Sequence, residues 1–408
     1  MAPRLRRLSY LRRRTNRDTR MQQNRPRILH LGFEDPQRPA AGGGSMRTHE
    51  ISRRLANEFD ITIVCARYRG CRQRVEDGVR YVHIGVPAGY FGSLISYFAC
   101  IPWALWRYDS DLVVEEFSAP VSSIAVPWLT RRPVLGVVQW LFAAEKSKQY
   151  HMPFCLVERI GLSSHRRLIA VSEDLADELR VRNPAAVVSV IGNGLSETAF
   201  EPRSHPRRNI VYLGRMEIAQ KGLDMLVTAY ARIAPKIAQD LVFGGDGPDR
   251  GTLEQLVVDL GIIDRVHFAG WVSSVDRFDW LASADFVAMP SRNESFGLVA
   301  AEALAVQTPV VAFDIPSLRA LVGDDVGIVV PPFDIDRYAL AMYELAMDPA
   351  RRARLGAAGP TKVMMLRWDT VAQRQGDIYR EVIASRSTDP SPDAQNRSES
   401  LRSAPSTN

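Results

Sequence analysis

The stretch from Ser291 to Thr308, SRNESFGLVAAEALAVQT, is the most informative part of this sequence for predicting the fold. It follows a short apolar run, Phe286–Met289, which Pro290 brings to an end. After Gly297 it continues as LVAAEALA, which consists almost entirely of strong helix formers. The pattern predicts a buried strand, a loop and the first turns of a helix.

Two glutamates frame this predicted loop and helix start. Glu294 lies in the loop and Glu302 in the helix, while the backbone N–H groups of residues 295–297 lie where a helix dipole favours an anion. Such a turn can hold a phosphate and a sugar together. A simpler interpretation stays open, in which Glu294 caps the helix and Glu302 is a solvated or ion-paired side chain.

The same stretch resembles a family signature. Glu294 and Glu302 stand eight residues apart around Ser-Phe-Gly, and they are similar to the E-x7-E motif of retaining family 4 glycosyltransferases, which have the GT-B fold. In that family the first glutamate reaches the donor sugar and the second binds the ribose hydroxyls. The resemblance implies these roles for Glu294 and Glu302, and it implies that the backbone of Phe296, Gly297 and Leu298 contacts the sugar and the diphosphate.

The composition is that of an ordinary globular protein of about two domains. The chain has 408 residues, of which 46% are hydrophobic and 24% charged. Its four cysteines, Cys65, Cys71, Cys100 and Cys155, are scattered without a C-x-x-C pair. A reducing cytoplasm is therefore the expected compartment, with no structural disulfide or zinc site.

Positive charge is concentrated at the start of the chain. The first 27 residues contain ten arginines and one aspartate, a charge of +9, whereas the whole chain carries +6, so the remainder is acidic. The segment lacks the apolar core of a secretory signal. It is predicted to be a disordered leader, an over-extended translation start with Met21 as the true one, or a polybasic anchor for anionic lipid.

Short apolar runs alternate with helical patterns along most of the chain, which predicts doubly wound α/β architecture. RILHLGF at Arg27–Phe33 is predicted to be a buried parallel strand, and the glycines at 42–44 lead from it into a helix. Strand, glycine loop and helix is a geometry that presents backbone amides to phosphate. The further predicted strands are Ile61–Cys65, Val79–Ile84, Leu112–Glu116, Val134–Gln139, Leu168–Val171, Val187–Ile191, a run from Ile210, Val266–Phe268, Val310–Phe313 and Ile328–Val330.

The glycine loop is not a dinucleotide fingerprint. GGGSMR departs from G-x-G-x-x-G, and the strand Ile61–Cys65 ends in Ala66 and Arg67 without the acidic residue that a ribose needs. NAD binding is therefore rejected. The family resemblance instead implies that Gly43 and Gly44 lie against the donor diphosphate and near the acceptor.

Two side chains of the first half are candidate sugar or acceptor contacts. The family commonly ends its fifth strand with a histidine that contacts the donor sugar, and this chain has Gln139 there. A glutamine donates and accepts hydrogen bonds but cannot act as an acid or base at neutral pH. His49 lies on the predicted helix within two turns of the glycine loop and is the second candidate, although a structural role is the simpler interpretation.

Other polar motifs are predicted to be structural. Asp109-Ser110-Asp111 resembles a metal-binding D-x-D, but it precedes its strand instead of following one, which favours a solvated loop. His151 and His165 have no partner at metal-ligand spacing. No metal is expected.

The most apolar stretch of the first half is YFGSLISYFACIPWALW, Tyr90–Trp106. It is shorter than the roughly 20 residues that a bilayer span needs, and it contains Pro102. A core or interfacial helix is therefore predicted. On the surface, such a helix would suit docking on a membrane that carries a lipid-linked acceptor.

A second alternating series begins at Ile210. Its first loop carries Arg215 and Lys221 before a helix that Gly222 opens, so two cations lie where a helix dipole already favours negative charge. An exposed cationic loop is the alternative. GR followed by KG is similar to the diphosphate clamp of the family, which implies donor binding by Gly214 and catalytic roles for Arg215 and Lys221.

The resemblance implies an α/β GT-B fold with two facing Rossmann-like domains and the active site in the cleft between them. The predicted organisation is a disordered Arg-rich leader at 1–26, an N-terminal acceptor-binding domain at 27–200, a linker at 201–208, a C-terminal nucleotide-sugar-binding domain at 209–366, a helix at 367–385 that crosses back to the first domain, and a disordered tail at 386–408.

The implied function is metal-independent, retaining hexosyl transfer without a cofactor. The donor would be a UDP- or GDP-sugar carrying glucose, mannose or N-acetylglucosamine, and the acceptor a hydroxyl of a glycan, a lipid-linked or a small molecule. The chain would work in polysaccharide or glycoconjugate biosynthesis in the cytoplasm, with peripheral membrane contact as an option and no nucleic-acid partner. Two alternatives stay open: a nucleotide-sugar 2-epimerase or hydrolase of the same fold, and a nucleic-acid or membrane-binding protein acting through the leader.

Overall fold

The computed structural model describes residues 25–39, 41–117, 125–141, 143, 147, 151, 153–203, 205–273 and 276–388. The predictions for the leader at 1–26 and the tail at 386–408 therefore concern residues that lie almost entirely outside the described part.

The chain divides into two units, each built on its own sheet. The first unit comprises the chain up to Ile169, Leu179–Ser189 and the residues from Ala372 onward. The second comprises Ala170–Glu178 and Val190–Val371. The predicted α/β class with two Rossmann-like sheets is confirmed.

The first sheet has eight strands in the order β3-β4-β2-β1-β5-β6-β7-β8. The pairs among β1, β2, β4, β5 and β6 are parallel, whereas β3 runs antiparallel to β4. The strands are β1 (Arg27–Leu31), β2 (Asp60–Ala66), β3 (Arg74–Glu76), β4 (Val79–Ile84), β5 (Leu112–Phe117), β6 (Val134–Val138), β7 (Arg167–Ala170) and β8 (Val187–Val190).

The second sheet has six parallel strands in the order β11-β10-β9-β12-β13-β14. Its strands are β9 (Ile210–Leu213), β10 (Leu241–Gly244), β11 (Val266–Gly270), β12 (Phe286–Met289), β13 (Val310–Phe313) and β14 (Gly327–Val330).

Helices connect most consecutive strands. They are α1 (Gly43–Leu55), α2 (Gly89–Arg107), α3 (Val126–Leu129), α4 (Phe154–Ser164), α5 (Glu173–Arg182), α6 (Ile218–Lys221), α7 (Leu223–Ile233), α8 (Arg250–Asp259), α9 (Arg277–Ala282), α10 (Leu298–Ala305), α11 (Pro316–Val322), α12 (Ile335–Met347), α13 (Pro349–Val363) and α14 (Trp368–Thr388), with short 3₁₀ turns at Glu197–Phe200, Ala234–Lys236, Ile263–Arg265 and Met364–Leu366.

The central strands are short apolar runs because helices cover both faces of each sheet. In β2 every residue after Asp60 is buried, and β12 and β13 are buried throughout. Their side chains form the core of each unit. A strand buried on both faces cannot show polar alternation, which explains why uninterrupted apolar runs marked these strands in the sequence.

Each sheet has one point at which the strand order reverses. In the first sheet the chain leaves β1 towards β2 on one side and returns to β5 on the other. In the second sheet the same reversal separates β9 from β12. Ligands of open α/β sheets bind outside the carboxyl ends of the strands at such a switch point. The loops that follow β1, β5, β9 and β12 are therefore the candidate ligand-binding loops.

The last helix, α14, has its later part in the first unit. Tyr379 packs edge-to-face on Phe59, and Gln375 accepts a hydrogen bond from the buried Arg47 at 3.0 Å. Trp368, the first residue of α14, packs so closely on Gly194 that a Cβ added to Gly194 would lie 2.2 Å from the indole ring. Gly194 therefore allows the close packing of Trp368.

Two local features differ from the sequence prediction. The helix α1 already begins at Gly43, so Gly43 and Gly44 form its first turn and only Gly42 precedes it. The hairpin strand β3 was not predicted, although Asp77 and Gly78, both with positive φ, form the two-residue Asp-Gly turn that favours a hairpin. Among the helices of the described ranges, none has the length and apolarity needed to cross a bilayer.

Candidate functional site

Two loops meet at the switch point of the second sheet, one after β9 and one after β12. The backbone N–H groups of Arg292 and Asn293 both donate to the carbonyl oxygen of Gln220, at 2.8 and 3.2 Å. Gly222 has a left-handed φ of 62°, and a Cβ there would lie 2.2 Å from the carbonyl oxygen of Pro290. Because only glycine fits this conformation and this spacing, Gly222 determines how closely the two loops approach.

The closest side-chain contact across these loops is an ion pair. Lys221 Nζ donates to Glu294 Oε1 at 2.5 Å, although the two residues are 73 positions apart in sequence. Ser291 Oγ donates to the same carboxylate oxygen at 3.1 Å. Both members of the pair are partly exposed, so the contact is open to a ligand.

Lys221 occupies a different local position from the one predicted. It is the last residue of the short helix α6, and Gly222 then links α6 to the longer helix α7. The predicted helix opening at Gly222 is therefore confirmed for α7, but one extra helical turn lies between Arg215 and Lys221.

Arg215 is a highly exposed residue among the predicted site residues. Its side chain is 69% exposed, and Glu217 is its partner at 3.6 Å between Nε and Oε2. Gly214, with φ of 150°, lies beside Tyr212, whose hydroxyl donates to the carbonyl oxygen of Arg215 at 2.9 Å. The hydrogen bond from Tyr212 thus holds the backbone of this loop, while the guanidinium is exposed.

The GDGP turn after β10 packs on the same loop. A Cβ at Gly245 would lie 2.1 Å from the carbonyl oxygen of Gly214, and one at Gly247 would lie 2.3 Å from that of Met216. The N–H of Met216 donates to the carbonyl of Asp246 at 2.9 Å. These glycines allow the two strand-end loops to lie side by side.

The predicted helix start after β12 is confirmed, with α10 beginning at Leu298. Gly297 precedes it with φ of 83°, and Ser317 Oγ donates to the carbonyl oxygen of Glu294 at 2.9 Å, which ties the loop to α11. The Phe296 ring packs on Gly192, where a Cβ would lie 2.7 Å from the ring. Within the part of the chain that the structure describes, the N–H groups of Ser295 and Phe296 make no hydrogen bond, so they are available to an anion at the helix start.

Glu302 lies inside α10 and is only 3% exposed. Its Oε1 forms an ion pair with Arg277 Nη2 at 3.0 Å. Burial raises the pKa of Glu302 to about 7, and the charge of Arg277 partly offsets this rise. The ion-paired interpretation of Glu302 fits this contact.

Glu302 makes the stability of the protein depend on pH. Its folded pKa of about 7 lies above the ordinary value of 4.5, so the folded state binds this proton more tightly than the unfolded state does. The protonated Glu302 therefore contributes to the free energy of unfolding. This contribution is complete below pH 4.5 and is lost as the pH rises through 7. Between about pH 5 and 8, urea unfolding should show wild type losing roughly 2 to 3 kcal/mol relative to Glu302→Gln.

The comparison with Glu302→Gln cancels the other titrating groups. A difference between the two proteins that stays constant over this range, or that grows in favour of wild type as pH rises, would contradict the burial account of Glu302.

In the first unit, Gly44 and Gln139 lie against each other at the switch point. A Cβ at Gly44 would lie 2.9 Å from Gln139 Nε2, and a Cβ at Gly43 would meet nothing within 4 Å. Both glycines lie in the first turn of α1, where backbone N–H groups have no intrahelical acceptor. The amide of Gln139 therefore borders a helix start with open space beside it.

Glu116, near the end of β5, is the hydrogen-bond acceptor for the side-chain amide of Gln139. It accepts from Gln139 Nε2 at 2.9 Å, from Thr48 Oγ1 at 2.6 Å and from His30 Nε2 at 3.1 Å. Burial alone would raise the pKa of Glu116, but the hydrogen bonds from His30 and Thr48 and the charges of His30 and Arg47 outweigh it and lower the pKa. An ionised carboxylate only accepts hydrogen bonds, so the Gln139 side chain must turn its NH₂ to Glu116, which leaves its oxygen for another donor.

His49 does not join this group of side chains. Its Nδ1 lies 2.7 Å from the hydroxyl of Tyr81, and its Nε2 lies 3.4 Å from Asp77 Oδ2. These partners belong to the β3–β4 hairpin, on another side of α1 from Thr48. The structural interpretation of His49 fits these contacts.

The D-x-D motif is tied into ion pairs. Asp109 pairs with Arg27 at 2.6 Å and with Arg132, while Asp111 accepts from the backbone N–H of Arg27 at 2.8 Å. His165 contacts Glu115 at 3.1 Å in the core. In the described ranges no cluster of three or more His, Cys, Asp or Glu side chains could hold a metal ion.

Sequence reasoning missed three residues that shape these sites: Glu116, Arg277 and Ser291. Glu116 was treated only as the end of a strand. The signal was available, because a charged residue that closes an otherwise apolar run at the carboxyl end of a central strand needs a partner. Arg277 lies outside every motif and had no such signal.

Two family models together match most of the described chain. Residues 42–194 match the model described as glycosyl transferase 4-like domain, and residues 207–348 match the model described as glycosyl transferases group 1.

Among curated proteins, the D-inositol 3-phosphate glycosyltransferase of Xylanimonas cellulosilytica is 38% identical over 180 residues, which is 43% of this chain and 43% of that protein. The chain spans about half the length of the curated relatives it matches.

Solved structures share the fold. Sucrose-phosphate synthase from Thermosynechococcus elongatus superposes with a TM-score of 0.73 at 23% identity, over 88% of this chain and 100% of that one. Anabaena HepE in complex with UDP-glucose superposes with a TM-score of 0.69 at 18% identity, over 87% and 100%. Both sheets therefore match those of GT-B glycosyltransferase structures.

Proposed function

The chain belongs to the group 1, family 4-like glycosyltransferases of the GT-B fold, and we propose that it transfers a sugar from a nucleoside-diphosphate sugar to a hydroxyl group. The second unit would bind the donor and the first the acceptor. The proposal includes retention of anomeric configuration, no requirement for a metal ion and a hexose as the transferred group.

The observation that carries the proposal is the Lys221–Glu294 ion pair at the switch point of the second sheet. One loop contributes a cation and the other a carboxylate next to a helix start with free N–H groups. A diphosphate needs cations and N–H donors, whereas sugar hydroxyls need a carboxylate acceptor. The cation for the diphosphate and the carboxylate for the sugar are thus in direct contact, since Lys221 donates a hydrogen bond to Glu294.

Charge development explains how these groups would act. When the bond from the anomeric carbon to the diphosphate breaks, negative charge grows on the leaving oxygen. Lys221, Arg215 and the N–H groups of Phe296 and Gly297 would stabilise that charge, which is the usual main source of catalysis in such sites. Neither Glu294 nor Glu302 is proposed as a covalent nucleophile; the acceptor attacks from the face that the diphosphate leaves, and the diphosphate accepts its proton.

We propose the remaining donor contacts as follows. Glu302 would accept from ribose hydroxyls through the oxygen that Arg277 does not hold. Gly214 would let the backbone approach the phosphates, and Leu298 would contact the donor through the first N–H of α10. In the first unit, the backbone N–H groups of Gly43 and Gly44, at the start of α1, would donate hydrogen bonds to the diphosphate.

Glu116 gives the proposal a test in the first unit. Glu116→Gln should lower kcat/KM roughly 10-fold, because a neutral amide at 116 no longer fixes the orientation of Gln139, and a hydrogen bond to a charged group is worth about 1.5 kcal/mol or more. Steady-state kinetics, with circular dichroism to check folding, measures the effect.

Glu115→Gln is the matched control. Glu115 is the neighbouring buried glutamate on β5, but it contacts His165 on the opposite face. Its variant should lose stability and keep kcat/KM within about two-fold of wild type. Equal kinetic losses in both variants, or normal kinetics for Glu116→Gln, would show that Glu116 does not orient Gln139.

A nucleotide-sugar screen tests the function as a whole. UDP- and GDP-linked glucose, mannose and N-acetylglucosamine should be compared for protection against thermal unfolding, since a ligand at 100 times its dissociation constant adds about 2.7 kcal/mol. Because the Anabaena HepE complex contains UDP-glucose, that donor comes first. Turnover should persist in EDTA.

Product analysis by NMR then separates the rival activities. Transfer gives a glycosylated acceptor with the donor's anomeric configuration. Free sugar indicates a hydrolase, a changed sugar indicates an epimerase, and the absence of both binding and turnover with every donor contradicts the proposal.

A further inference from the structure

Arg292 connects the two loops that bring Lys221 and Glu294 together. It lies two residues before Glu294 in the loop after β12, and its side chain reaches the chain segment that follows β9. Nη1 of Arg292 donates to the carbonyl oxygen of Ile218, the first residue of α6, at 2.7 Å. The guanidinium thus contacts the short helix whose last residue is Lys221.

The same guanidinium forms a bidentate ion pair with Asp224. Its Nη1 lies 2.9 Å from Asp224 Oδ1, and its Nη2 lies 2.8 Å from Asp224 Oδ2. Asp224 belongs to the first turn of α7, where the helix dipole favours a carboxylate. Since Ile218 precedes Lys221 and Asp224 follows it, Arg292 binds the chain on both sides of Lys221.

The backbone around Lys221 takes part in the same contacts. The N–H of Lys221 donates to the carbonyl oxygen of Glu217 at 2.8 Å, and the N–H of Gly222 donates to that of Ile218 at 2.9 Å. The carbonyl oxygen of Ile218 therefore accepts from Gly222 and from the Arg292 guanidinium. The side chain of Arg292 is thus bonded to the helical turn that ends at Lys221.

The geometry of these bonds distinguishes Arg292 and Asp224 from an ordinary surface ion pair. Their side chains are 32% and 37% exposed, and a single ion pair at such exposure contributes little to stability. A bidentate pair that also bonds a backbone carbonyl is stronger and directional, because the guanidinium holds its N–H donors in a rigid, planar fork. The contacts of Arg292 therefore fix a geometry, which a lysine at the same position could not reproduce.

We propose that Arg292, together with Asp224, is a positioning residue that holds Lys221 beside Glu294. A lysine side chain is long and flexible, so its amine reaches a given point reproducibly only when the backbone that carries it is fixed. Arg292 would act on the helix from which Lys221 extends, and not on the substrate. The inference rests on the proposed function, in which Lys221 stabilises charge on the leaving diphosphate.

Arg292→Ala should lower kcat roughly 10-fold and change the KM for the donor by less than about 3-fold, because a displaced cation loses transition-state stabilisation first. Asp224→Ala should have a similar effect, and the double variant should be no slower than either single variant. Arg292→Lys keeps the charge without the fork and should recover only part of the rate. Because the backbone N–H of residue 292 is retained, these variants should fold, which urea unfolding checks.

A double-mutant cycle separates positioning of Lys221 from general destabilisation. In a Lys221→Ala background, adding Arg292→Ala should lower kcat by less than about two-fold further, since the group that it positions is already missing.

The matched control is Arg265→Ala. Arg265 pairs with Asp240 at 2.6 Å, donates to the carbonyl oxygens of residues 234, 237 and 239, and is 31% exposed. It precedes β11, however, and so lies at the amino end of that strand, away from the carboxyl ends that carry the site. Its loss should lower stability and leave kcat within about two-fold of wild type.

Hydrogen exchange tests the inference without a reaction. The N–H groups of Lys221 and Gly222 should exchange at least ~10-fold faster in Arg292→Ala than in wild type, and at the wild-type rate in Arg265→Ala. Unchanged exchange in Arg292→Ala, a normal kcat in that variant while Lys221→Ala is slow, or kcat losses that add fully in the cycle would overturn the inference. Normal turnover in Lys221→Ala would instead contradict the proposed function, and the exchange rates would still decide whether Arg292 holds α6.

Discussion

Replacing Lys221 with alanine should lower turnover at least ~100-fold while the protein stays folded. Lys221 is the cation that contacts the carboxylate of Glu294, so it lies where we propose that a diphosphate and a sugar meet. A preorganised donor aimed at developing charge is worth roughly 3 kcal/mol, which corresponds to the expected loss. Single-turnover kinetics at saturating donor measures it without a contribution from donor affinity.

The control for Lys221→Ala is Lys362→Ala. Lys362 is another lysine of the second unit, paired with Asp325 at 3.2 Å on the surface. Its loss should leave turnover within about two-fold of wild type, as expected for a surface ion pair. Lys221→Arg keeps the charge and should recover part of the rate. Near-normal turnover in Lys221→Ala would remove this residue from the mechanism.

Arg215→Ala should have a loss of similar size, again at least ~100-fold in turnover. The guanidinium is 69% exposed and only loosely associated with Glu217, so little folding energy depends on it. An exposed, weakly paired guanidinium can turn onto a diphosphate, and its planar shape suits two phosphate oxygens at once. The effect should therefore be on the rate and not on the midpoint of urea unfolding.

Arg337→Ala is a close match for this variant. Arg337 is 68% exposed and lies 3.6 Å from Asp334, but it follows the edge strand β14, two strands away from the switch point. It should be kinetically silent. Equal losses for both arginines would indicate a general effect of positive charge on donor binding and would contradict a specific role for Arg215.

Five of the six strands of the second sheet could be predicted from the sequence because they are short apolar runs with clear ends, whereas β10 (Leu241–Gly244) was not predicted. The strands at Phe286–Met289 and Val310–Phe313 and the start of α10 after Gly297 agree with the prediction. In each case Pro, Gly or a run of helix formers marks the boundary, and such local signals do not depend on the rest of the fold.

Features that depend on contacts between residues far apart in the sequence could not be predicted from local patterns. The register that brings Lys221 to Glu294 depends on the pairing of β9 with β12, and no local pattern reports that pairing. The same is true of Arg277 beside Glu302, and of Gln139, whose amide orientation is set by Glu116. Gly43 was predicted to lie in a loop because glycine is a poor helix former, yet a helix tolerates it in the first turn, where its N–H needs no helical acceptor.

The decisive experiment is a crystal structure of the chain with a nucleotide sugar, or with the nucleoside diphosphate alone. We expect a diphosphate oxygen within about 3 Å of Lys221 Nζ, with the N–H groups that follow Glu294 pointing at the same phosphate. A nucleotide bound elsewhere, with the Lys221–Glu294 pair undisturbed, would contradict it.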